Sequence, residues 1–251
     1  MLQHPTLDKL KQLKFTGMAR ALKEQIDSPD IDAMDFHERL GLLVDREITE
    51  RDNRRLSSRL RQAKLKHLAC VEDIDYRHPR GLDRSQVMTL SSNYWLSQHR
   101  NVLITGPTGI GKTWIACALA QKACREGYRA LYLRLPRLLQ QLPIAKGDGT
   151  YPKLLMKLAK VDLIILDDWG LSKLTAEQRR DLLEILEDRY DTRSTLVTSQ
   201  LPVDQWHGVI ADATLADAIL DRLVHNAYRI NLKGESLRKT TAKLTGDNET
   251  E

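Results

Sequence analysis

The sequence predicts an α/β protein with a parallel five-stranded sheet, preceded by a small all-helical N-terminal domain. From about residue 69 onward, short β-rich runs alternate with helical segments, which is typical of a parallel sheet covered by helices on both faces. Before that point, apolar residues recur only at the spacing of a helix face. We therefore expect a helical domain at 1–68, an α/β domain at 69–233 and a polar, flexible tail at 234–251.

The N-terminal part is predicted to form helices interrupted near Pro29. Asp35 and Glu38 have the spacing of a capping box, which would start a long amphipathic helix. The apolar face before the proline consists of Leu7, Leu10, Met18, Leu22 and Ile26. The face of the long helix consists of Phe36, Leu40, Leu43, Val44, Ile48, Leu56, Leu60 and Ala63.

The α/β part is predicted to contain five strands and at least five helices. The continuously apolar run at 163–166 fits a strand that is buried on both faces, and Thr175 with Gln178 forms a second capping box. The strands are expected at 101–105, 130–133, 161–166, 194–199 and 228–232. The helices are expected near 112–126, 136–142, 152–160, 175–190 and 214–225.

The composition predicts a cytoplasmic protein without a membrane partner. Hydrophobic residues make up 41% and charged residues 29% of the 251 residues, and no apolar run approaches the roughly 20 residues of a membrane helix. Cys70, Cys117 and Cys124 form no CxxC pair and cannot all be bridged, which favours a reducing compartment. We expect Cys117 and Cys124 to be small buried residues of a helix.

A phosphate-binding loop follows the first predicted strand. The segment 106–113 matches GxxxxGK[ST] in full, and an amphipathic helix follows it, which disfavours a chance match on a glycine-rich turn. Its glycines let backbone N–H groups point at phosphate oxygens, Lys112 would reach the β- and γ-phosphates, and Thr113 would ligate Mg²⁺. The predicted ATP-binding residues are Gly106, Pro107, Thr108, Gly109, Ile110, Gly111, Lys112, Thr113 and Trp114.

Two carboxylates follow the buried strand at 163–166. Ligands of parallel sheets bind at the carboxyl ends of the strands, so Asp167 is predicted to hold Mg²⁺ together with Thr113. Asp168 would then orient or deprotonate the attacking water. The alternative is an ordinary strand followed by an acidic turn, which the preceding phosphate-binding loop makes the weaker interpretation. The sequence thus predicts an ATPase with ATP and Mg²⁺ as cofactors.

The chain resembles AAA+ ATPases, and within them the IstB-like helpers of insertion-sequence transposition, with the DnaC-type helicase loaders as relatives. The phosphate-binding loop and the doubled aspartate occur in many ATPases. The Asp221-Arg222-Leu223 sequence is a further AAA+ feature, whereas the strings at 147–155, 166–170 and 198–203 are more specific and typical of the transposition helpers. The resemblance covers essentially the whole chain, including the helical N-terminal region.

The resemblance implies roles for further residues. Gln200 would be the sensor 1 residue at a strand tip, and Arg222 would be an arginine finger that acts on the ATP of a neighbouring subunit. By sequence alone Arg222 could equally be a surface arginine of a helix. Most AAA+ proteins have glutamate where this chain has Asp168, which implies slow hydrolysis. Too few residues follow Arg222 for a full helical lid, and Arg238 is the candidate for a sensor 2-like contact.

A basic segment provides the predicted DNA-binding surface. Seven basic residues and a single acid lie between residues 51 and 66, and a stripe of this kind would neutralise DNA phosphates. The alternative is a solvated helix face whose charges pair with neighbouring acids. The predicted DNA contacts are Arg51, Arg54, Arg55, Arg59, Arg61, Lys64 and Lys66, with Lys146 as a secondary candidate.

The sequence hypothesis is therefore an ATPase that helps insertion-sequence transposition. It would oligomerise on duplex DNA with ATP at subunit interfaces, remodel or select the target, and stimulate a partner transposase. The alternative is a loader of a replicative helicase, in which the N-terminal region would grip the helicase instead of DNA. A metabolic kinase is disfavoured because no arginine-rich lid is visible.

Overall fold

A computed structural model describes residues 5–29 and 31–237. The chain divides into two compact units, Met1–Ser58 and Arg59–Glu251. The predicted boundary at residue 68 was placed where helical periodicity ends. The division between the two units falls earlier, inside one long helix. The predicted tail begins inside the described part, and residues 238–251, including Arg238, lie outside it.

The first unit contains α1 (Pro5–Gln12), α2 (Thr16–Ile26) and the first part of α3 (Phe36–Ala63). Glu47 of α3 accepts hydrogen bonds from the backbone N–H groups of Gly17 (2.7 Å) and Met18 (3.1 Å). These N–H groups lie in the first turn of α2, where a helix lacks internal partners. Glu47 therefore caps α2 from the neighbouring helix.

Gly17 permits this close approach of the two helices. A Cβ atom at Gly17 would lie 2.7 Å from both the Arg46 carbonyl oxygen and the Glu47 Cα, which is closer than atoms pack. The predicted capping box is present, because Glu38 N–H contacts Asp35 and Asp35 N–H contacts Glu38.

Only part of the predicted apolar face of α3 is buried. Leu43 is buried, whereas the residues at four-residue spacing beside it are exposed by about two-fifths or more: Phe36, Leu40, Val44 and Ile48. The periodicity correctly indicates a helix, but periodicity cannot say whether an apolar face is covered.

The second unit is built on a five-stranded parallel sheet. Its strands are β1 (Asn101–Thr105), β2 (Ala130–Arg134), β3 (Leu163–Trp169), β4 (Ser194–Ser199) and β5 (Ala227–Asn231). They lie in the order β2-β3-β4-β1-β5, and all neighbouring pairs are parallel. The first strand in the sequence thus lies between the fourth and fifth, and the carboxyl ends of β1, β3 and β4 meet at one edge.

Eight helices of the described part accompany the sheet. They are α4 (Arg84–Ser91), α5 (Tyr94–Ser97), α6 (Lys112–Arg125), α7 (Leu135–Gly147), α8 (Tyr151–Lys160), α9 (Ala176–Glu187), α10 (Trp206–Ile210) and α11 (Ala213–Val224). The Thr175–Gln178 capping box is present at α9. The sequence did not predict the short helices α4, α5 and α10.

The main core lies between the sheet and the helices α7–α11. The central residues of β3 and β1 are fully buried, as predicted for strands covered on both faces. Trp169 at the end of β3 packs on Trp206 of α10 with a ring separation of 5.1 Å. Cys117 and Cys124 are buried free thiols on α6. In the part of the chain that the structure describes, no helix is long and apolar enough to cross a membrane.

Candidate ATP site

The phosphate-binding loop connects β1 to α6 and depends on its glycines. Gly106 has a φ of 144°, and a Cβ atom there would lie 2.4 Å from the Leu232 carbonyl oxygen. Gly111 precedes α6 with a φ of 98°, and a Cβ atom there would lie 2.6 Å from a guanidinium nitrogen of Arg80. Both positions therefore exclude any side chain. The loop leads into the N-terminus of α6, and backbone N–H groups in such a position can donate to phosphate oxygens.

Lys112 and Thr113 occupy the first turn of α6. The Lys112 ammonium donates to the carbonyl oxygens of Gly106 (2.7 Å) and Pro107 (2.8 Å), so the side chain curls back over the loop. Burial lowers the pKa of Lys112, while Asp167 and Asp168 act in the opposite direction. The Thr113 hydroxyl donates to Asp167 Oδ1 at 2.8 Å. The hydroxyl and carboxylate predicted to hold Mg²⁺ are therefore adjacent.

Asp167 is the centre of a cluster of hydroxyl groups. Its carboxylate is 1% exposed, and its Oδ2 accepts a hydrogen bond from the Tyr132 hydroxyl at 2.5 Å. Thr198 of β4 donates to the other carboxylate oxygen. Burial and the neighbouring Asp167 raise the pKa of Tyr132, which keeps this phenol protonated as a donor. The residues present thus fit a hard divalent cation, which prefers oxygen ligands.

Asp168 lies beside Asp167 in an unusual backbone conformation. Its φ is 66°, a left-handed value that aspartate tolerates better than most residues, and the β3–β4 register shifts between Leu166 and Trp169. Arg134 at the end of β2 donates to Asp168 Oδ2 from Nε (2.9 Å) and Nη2 (2.8 Å). The pKa of Arg134 is raised by this contact. The predicted base is thus engaged by an arginine that the sequence interpretation did not include.

Gln200 follows β4 and reaches the phosphate-binding loop. Its amide oxygen accepts a hydrogen bond from the Thr108 hydroxyl at 2.7 Å. This contact brings the predicted sensor residue next to the loop that would hold the phosphates. Trp114 points elsewhere, because its side chain packs against the apolar cluster of Ala69, Cys117 and Ala118.

Arg222 lies at the opposite edge of the sheet. Its carbonyl oxygen accepts a hydrogen bond from Asn101 Nδ2 at 2.8 Å, and Asn101 is the first residue of β1. The phosphate-binding loop follows the last residue of β1, roughly 13 Å further along the strand. The Arg222 Nε donates to Glu187, and Nη1 donates to the Ala218 carbonyl oxygen at 3.1 Å. The contact with Glu187 raises the pKa of Arg222.

A further arginine and the chain after β5 support the loop. Arg80 is 3% exposed and donates to the carbonyl oxygens of Ile110 (3.1 Å) and Asp75 (3.0 Å). Leu237 N–H donates to the Gly109 carbonyl oxygen at 3.1 Å. Arg80 therefore fixes the chain before α4 to the end of the phosphate-binding loop.

Comparison with known proteins identifies the family. Residues 8–245 match the family described as IstB-like ATP binding protein. This chain belongs to that family. An insertion sequence ATP-binding protein of Sinorhizobium fredii is 55% identical over 239 residues, which cover 95% of this chain and 98% of that protein. The predicted family is therefore confirmed, and this IstB-like chain is an ATPase that binds ATP.

Solved structures confirm the fold of the IstB-like chain. The DnaC helicase loader has a TM-score of 0.55 at 19% identity and covers 66% of this chain and 97% of its own. The DnaA protein of Aquifex aeolicus, solved with AMPPCP, has a TM-score of 0.58 at 19% identity. That match covers 75% of this chain and 58% of DnaA. The α/β fold of AAA+ type with five parallel strands is thus confirmed.

The basic segment of the IstB-like chain is not a uniform surface. In the first unit, Arg51 pairs with Glu47 (2.7 Å) and Arg55 with Asp52 (3.4 Å), while Arg54 lies 3.7 Å from Glu47. These three guanidinium groups remain between about two-fifths and two-thirds exposed. Their charges are therefore partly balanced within their own helix, but their donors stay accessible.

The rest of the basic segment belongs to the second unit. Arg61 and Lys64 are exposed, whereas the half-buried Arg59 donates from Nε to the Cys124 carbonyl oxygen at 2.8 Å. Lys66 lies 3.8 Å from Asp167 Oδ2. Arg59 therefore serves a structural contact, and Lys66 lies in the ATP site. The secondary candidate Lys146 is also engaged, with Asp181 at 2.6 Å and Glu177 at 2.9 Å.

Three residues of the IstB-like site were missed by sequence reasoning. Arg134 is the last residue of β2, Tyr132 lies in the middle of that strand, and Thr198 lies near the end of β4. Polar residues at the carboxyl ends of parallel strands are a recognisable signal, because all such ends face the ligand edge. Applied to every strand, that signal would have found Arg134 and Thr198.

Proposed function

We propose that this IstB-like ATPase is a DNA-binding helper of insertion-sequence transposition. It assembles on duplex DNA with ATP at subunit interfaces, remodels or selects the target and stimulates a partner transposase. The observation that carries the proposal is the separation between the phosphate-binding loop and Arg222, which lie at opposite ends of β1. An arginine so placed is too far from the ATP site of its own subunit to contact it, which supports a role at the ATP of a neighbouring subunit.

The nucleotide is held by groups that already converge. The loop N–H groups and the N-terminus of α6 take the phosphates, and Lys112 exchanges its two carbonyl partners for phosphate oxygens. Thr113 and Asp167 hold Mg²⁺. When bound, Mg²⁺ neutralises charge that develops on the phosphate oxygens. Tyr132 and Thr198 keep the Asp167 carboxylate in place by donating to it.

Hydrolysis then requires a base for the attacking water and stabilisation of the negative charge on the transferring phosphoryl group. Asp168 orients the attacking water and accepts its proton, and Gln200 contacts the reacting end of the nucleotide from the loop side. Arg222 of a neighbouring subunit donates to the phosphoryl group as its charge spreads over the oxygens, an effect worth about 10³–10⁵ in rate in other enzymes.

The DNA contacts come from the exposed cations of the basic segment. Arg51, Arg54 and Arg55 retain exposed guanidinium donors, and Arg61 and Lys64 are exposed. Contacts of this kind go to phosphates and read no sequence. Binding to duplex DNA is therefore expected to be salt-sensitive and largely independent of sequence.

ATP turnover with and without long duplex DNA tests the proposal. We expect DNA to raise turnover, because assembly on DNA brings Arg222 to a neighbouring site. Lys112→Ala removes the phosphate ligand and should abolish turnover in both conditions. A matched variant is Lys122→Ala on the same helix, whose ammonium pairs with Glu126 at 2.7 Å, and it should keep the DNA response.

The alternative is a loader of a replicative helicase. The likeness to the DnaC helicase loader supports the fold alone, and the insertion-sequence relatives favour the transposition helper. If duplex DNA neither binds nor changes turnover while Lys112→Ala still abolishes it, the basic segment is a solvated face and the loader becomes the better explanation.

A further inference from the structure

The end of the basic segment is attached to the helix that carries the ATP site. Arg59 is fixed to the Cys124 carbonyl oxygen near the C-terminal end of α6. Leu65 and Val71 pack on the cluster of Ala69, Cys117 and Ala118, of which the last two belong to α6. The chain from 59 to 71 thus follows α6 toward the end where the phosphate-binding loop lies. The basic segment therefore ends beside the candidate ATP site.

Lys66 is the residue of this segment that reaches Asp167. Its ammonium lies 3.8 Å from Asp167 Oδ2, and Asp167 is 1% exposed. The hydrogen bonds to that carboxylate come from the neutral hydroxyls of Thr113, Tyr132 and Thr198. Hydroxyls satisfy the oxygen lone pairs but not the charge, and a buried carboxylate without a counter-charge is costly.

The other ammonium of the site, that of Lys112, makes its hydrogen bonds elsewhere, although its charge also acts on Asp167. Lys112 donates to the carbonyl oxygens of Gly106 and Pro107, not to a carboxylate. Among the described residues, Lys66 is accordingly the cation in ion-pair range of Asp167. Its side chain is still 40% exposed. A long, flexible stem with an exposed head can change partner at little cost.

We propose that Lys66 is the counter-ion of Asp167 before nucleotide binds, and that it leaves for DNA phosphate when Mg²⁺ takes its place. Mg²⁺ brings a larger positive charge to Asp167 than an ammonium does, so it competes with Lys66 for this carboxylate. The departing ammonium belongs to the segment of Arg61 and Lys64, so it adds one phosphate contact to that surface. The DNA half of this inference rests on the proposed function, whereas the Mg²⁺ half does not.

The exchange couples the two ligands in both directions. If bound Mg²⁺ and ATP free Lys66 for DNA, then DNA that holds Lys66 must strengthen Mg²⁺ and ATP binding by the same factor. Lys64 provides the comparison, because it is two residues away and lines a cavity with Tyr132 and Arg134 without an ion pair to Asp167.

The first measurement concerns Mg²⁺ without DNA. The affinity of a fluorescent ATP analogue is measured in EDTA and in excess Mg²⁺, and the ratio gives the Mg²⁺ enhancement. Lys66→Met removes the competing ammonium, so we expect the enhancement to rise about two- to fivefold, as suits a part-exposed ion pair. Lys64→Met should keep the wild-type ratio. An unchanged or smaller ratio for Lys66→Met overturns the counter-ion assignment.

The second measurement uses the salt dependence of binding to a duplex of fixed length. With Mg²⁺ and a non-hydrolysable ATP analogue, the slope of log affinity against log salt should be steeper for wild type than for Lys66→Met by about 0.9, the value of one phosphate contact. Without nucleotide the two slopes should coincide. Lys64→Met should flatten the slope in both conditions.

The two measurements separate the possible failures. If wild-type protein binds no duplex DNA, the proposed function fails, and the Mg²⁺ ratio alone decides the role of Lys66. If DNA binds and the nucleotide steepens the slope equally in Lys66→Met, the exchange is wrong while the proposed function stands.

Discussion

At the scale of single residues, Arg134 binds the carboxylate of Asp168, which is the proposed catalytic base. Two N–H groups of Arg134 point at one oxygen of Asp168, and the side chain of Asp168 is about one-fifth exposed. Two donors of one guanidinium occupy the lone pairs of this oxygen, so a water molecule must compete with Arg134 for it. In this conformation Arg134 therefore occupies the Asp168 oxygen that is proposed to accept a proton from the attacking water.

Arg134→Gln tests this restraint. The amide offers at most one donor and leaves the Asp168 carboxylate free to accept from a water molecule, so ATP turnover without DNA should rise about two- to tenfold. The affinity for ATP should change little. The matched control is Arg137→Gln. Arg137 lies three residues later, in α7, and lines the same cavity as Arg134. A loss of turnover in Arg134→Gln would instead show that Arg134 holds Asp168 in its working position.

The sequence predicted the residues of the ATP site that are close together in the chain. Lys112 and Thr113 are recognisable because one loop must cradle the phosphates, and Asp167 because it ends a buried strand. Tyr132, Arg134 and Lys66 come from other elements and meet Asp167 or Asp168 only after folding. No local pattern marks Tyr132 or Lys66, so neither could be predicted from the sequence, whereas Arg134 is recognisable only as a polar residue at a strand end.

At the scale of elements, α2 depends on a carboxylate from α3. The residue before α2 is Phe15, which provides no side-chain cap, and Glu47 accepts from the first N–H groups instead. Burial alone would raise the pKa of Glu47, but hydrogen bonds from Arg51, Met18 and Gly17 lower it overall. The pKa of Glu47 is lower in the folded protein than in the unfolded chain. The ionised carboxylate therefore stabilises the folded protein fully at any pH above the unfolded pKa.

Glu47→Gln removes this charge and should weaken α2. Hydrogen-exchange protection of α2 at pH 7 should fall by roughly tenfold, because hydrogen bonds to a charged acceptor are the stronger kind. The wild-type advantage should disappear as the pH falls below about 4.5 and through the folded pKa of Glu47. Glu50→Gln is the control, since its exposed contact with Arg20 at 3.2 Å should contribute little. Equal protection in all three proteins would contradict this account.

The strands and long helices were predictable because apolar residues recur in them at strand or helix spacing over enough residues to be recognised. The ends of β1 and β4 were predicted to the residue, and β3 continues to Trp169 beyond the predicted end because pairing extends past the two aspartates. Helices α5 and α10 contain four and five residues, too few for a helical period to be recognised.

At the scale of the whole molecule, the two compact units meet within α3, between Ser58 and Arg59. The sequence indicated a boundary at residue 68, where helical periodicity ends. A continuous helix can belong to two units without any local mark at the division, so periodicity cannot locate it. The same limit applies to assembly, because no sequence spacing relates Arg222 to the ATP site that it would complete.

Mixing of two inactive variants tests whether Arg222 acts between subunits. Lys112→Ala lacks a working phosphate-binding loop, and Arg222→Ala lacks the arginine, so neither should hydrolyse ATP alone. In an equal mixture on DNA, about a quarter of the interfaces join an intact loop to an intact arginine if subunits assemble head to tail at random. Turnover should then recover to about a quarter of the wild-type value.

The control for this experiment is a mixture of Arg222→Ala with the double variant Lys112→Ala/Arg222→Ala. It contains intact loops but no arginine, so it should remain inactive. Wild-type turnover by Arg222→Ala alone would exclude an arginine finger at this position. If both single variants are inactive and their mixture stays inactive although the subunits assemble on DNA, Arg222 acts within its own subunit by stabilising the edge of the sheet next to Asn101 and Glu187.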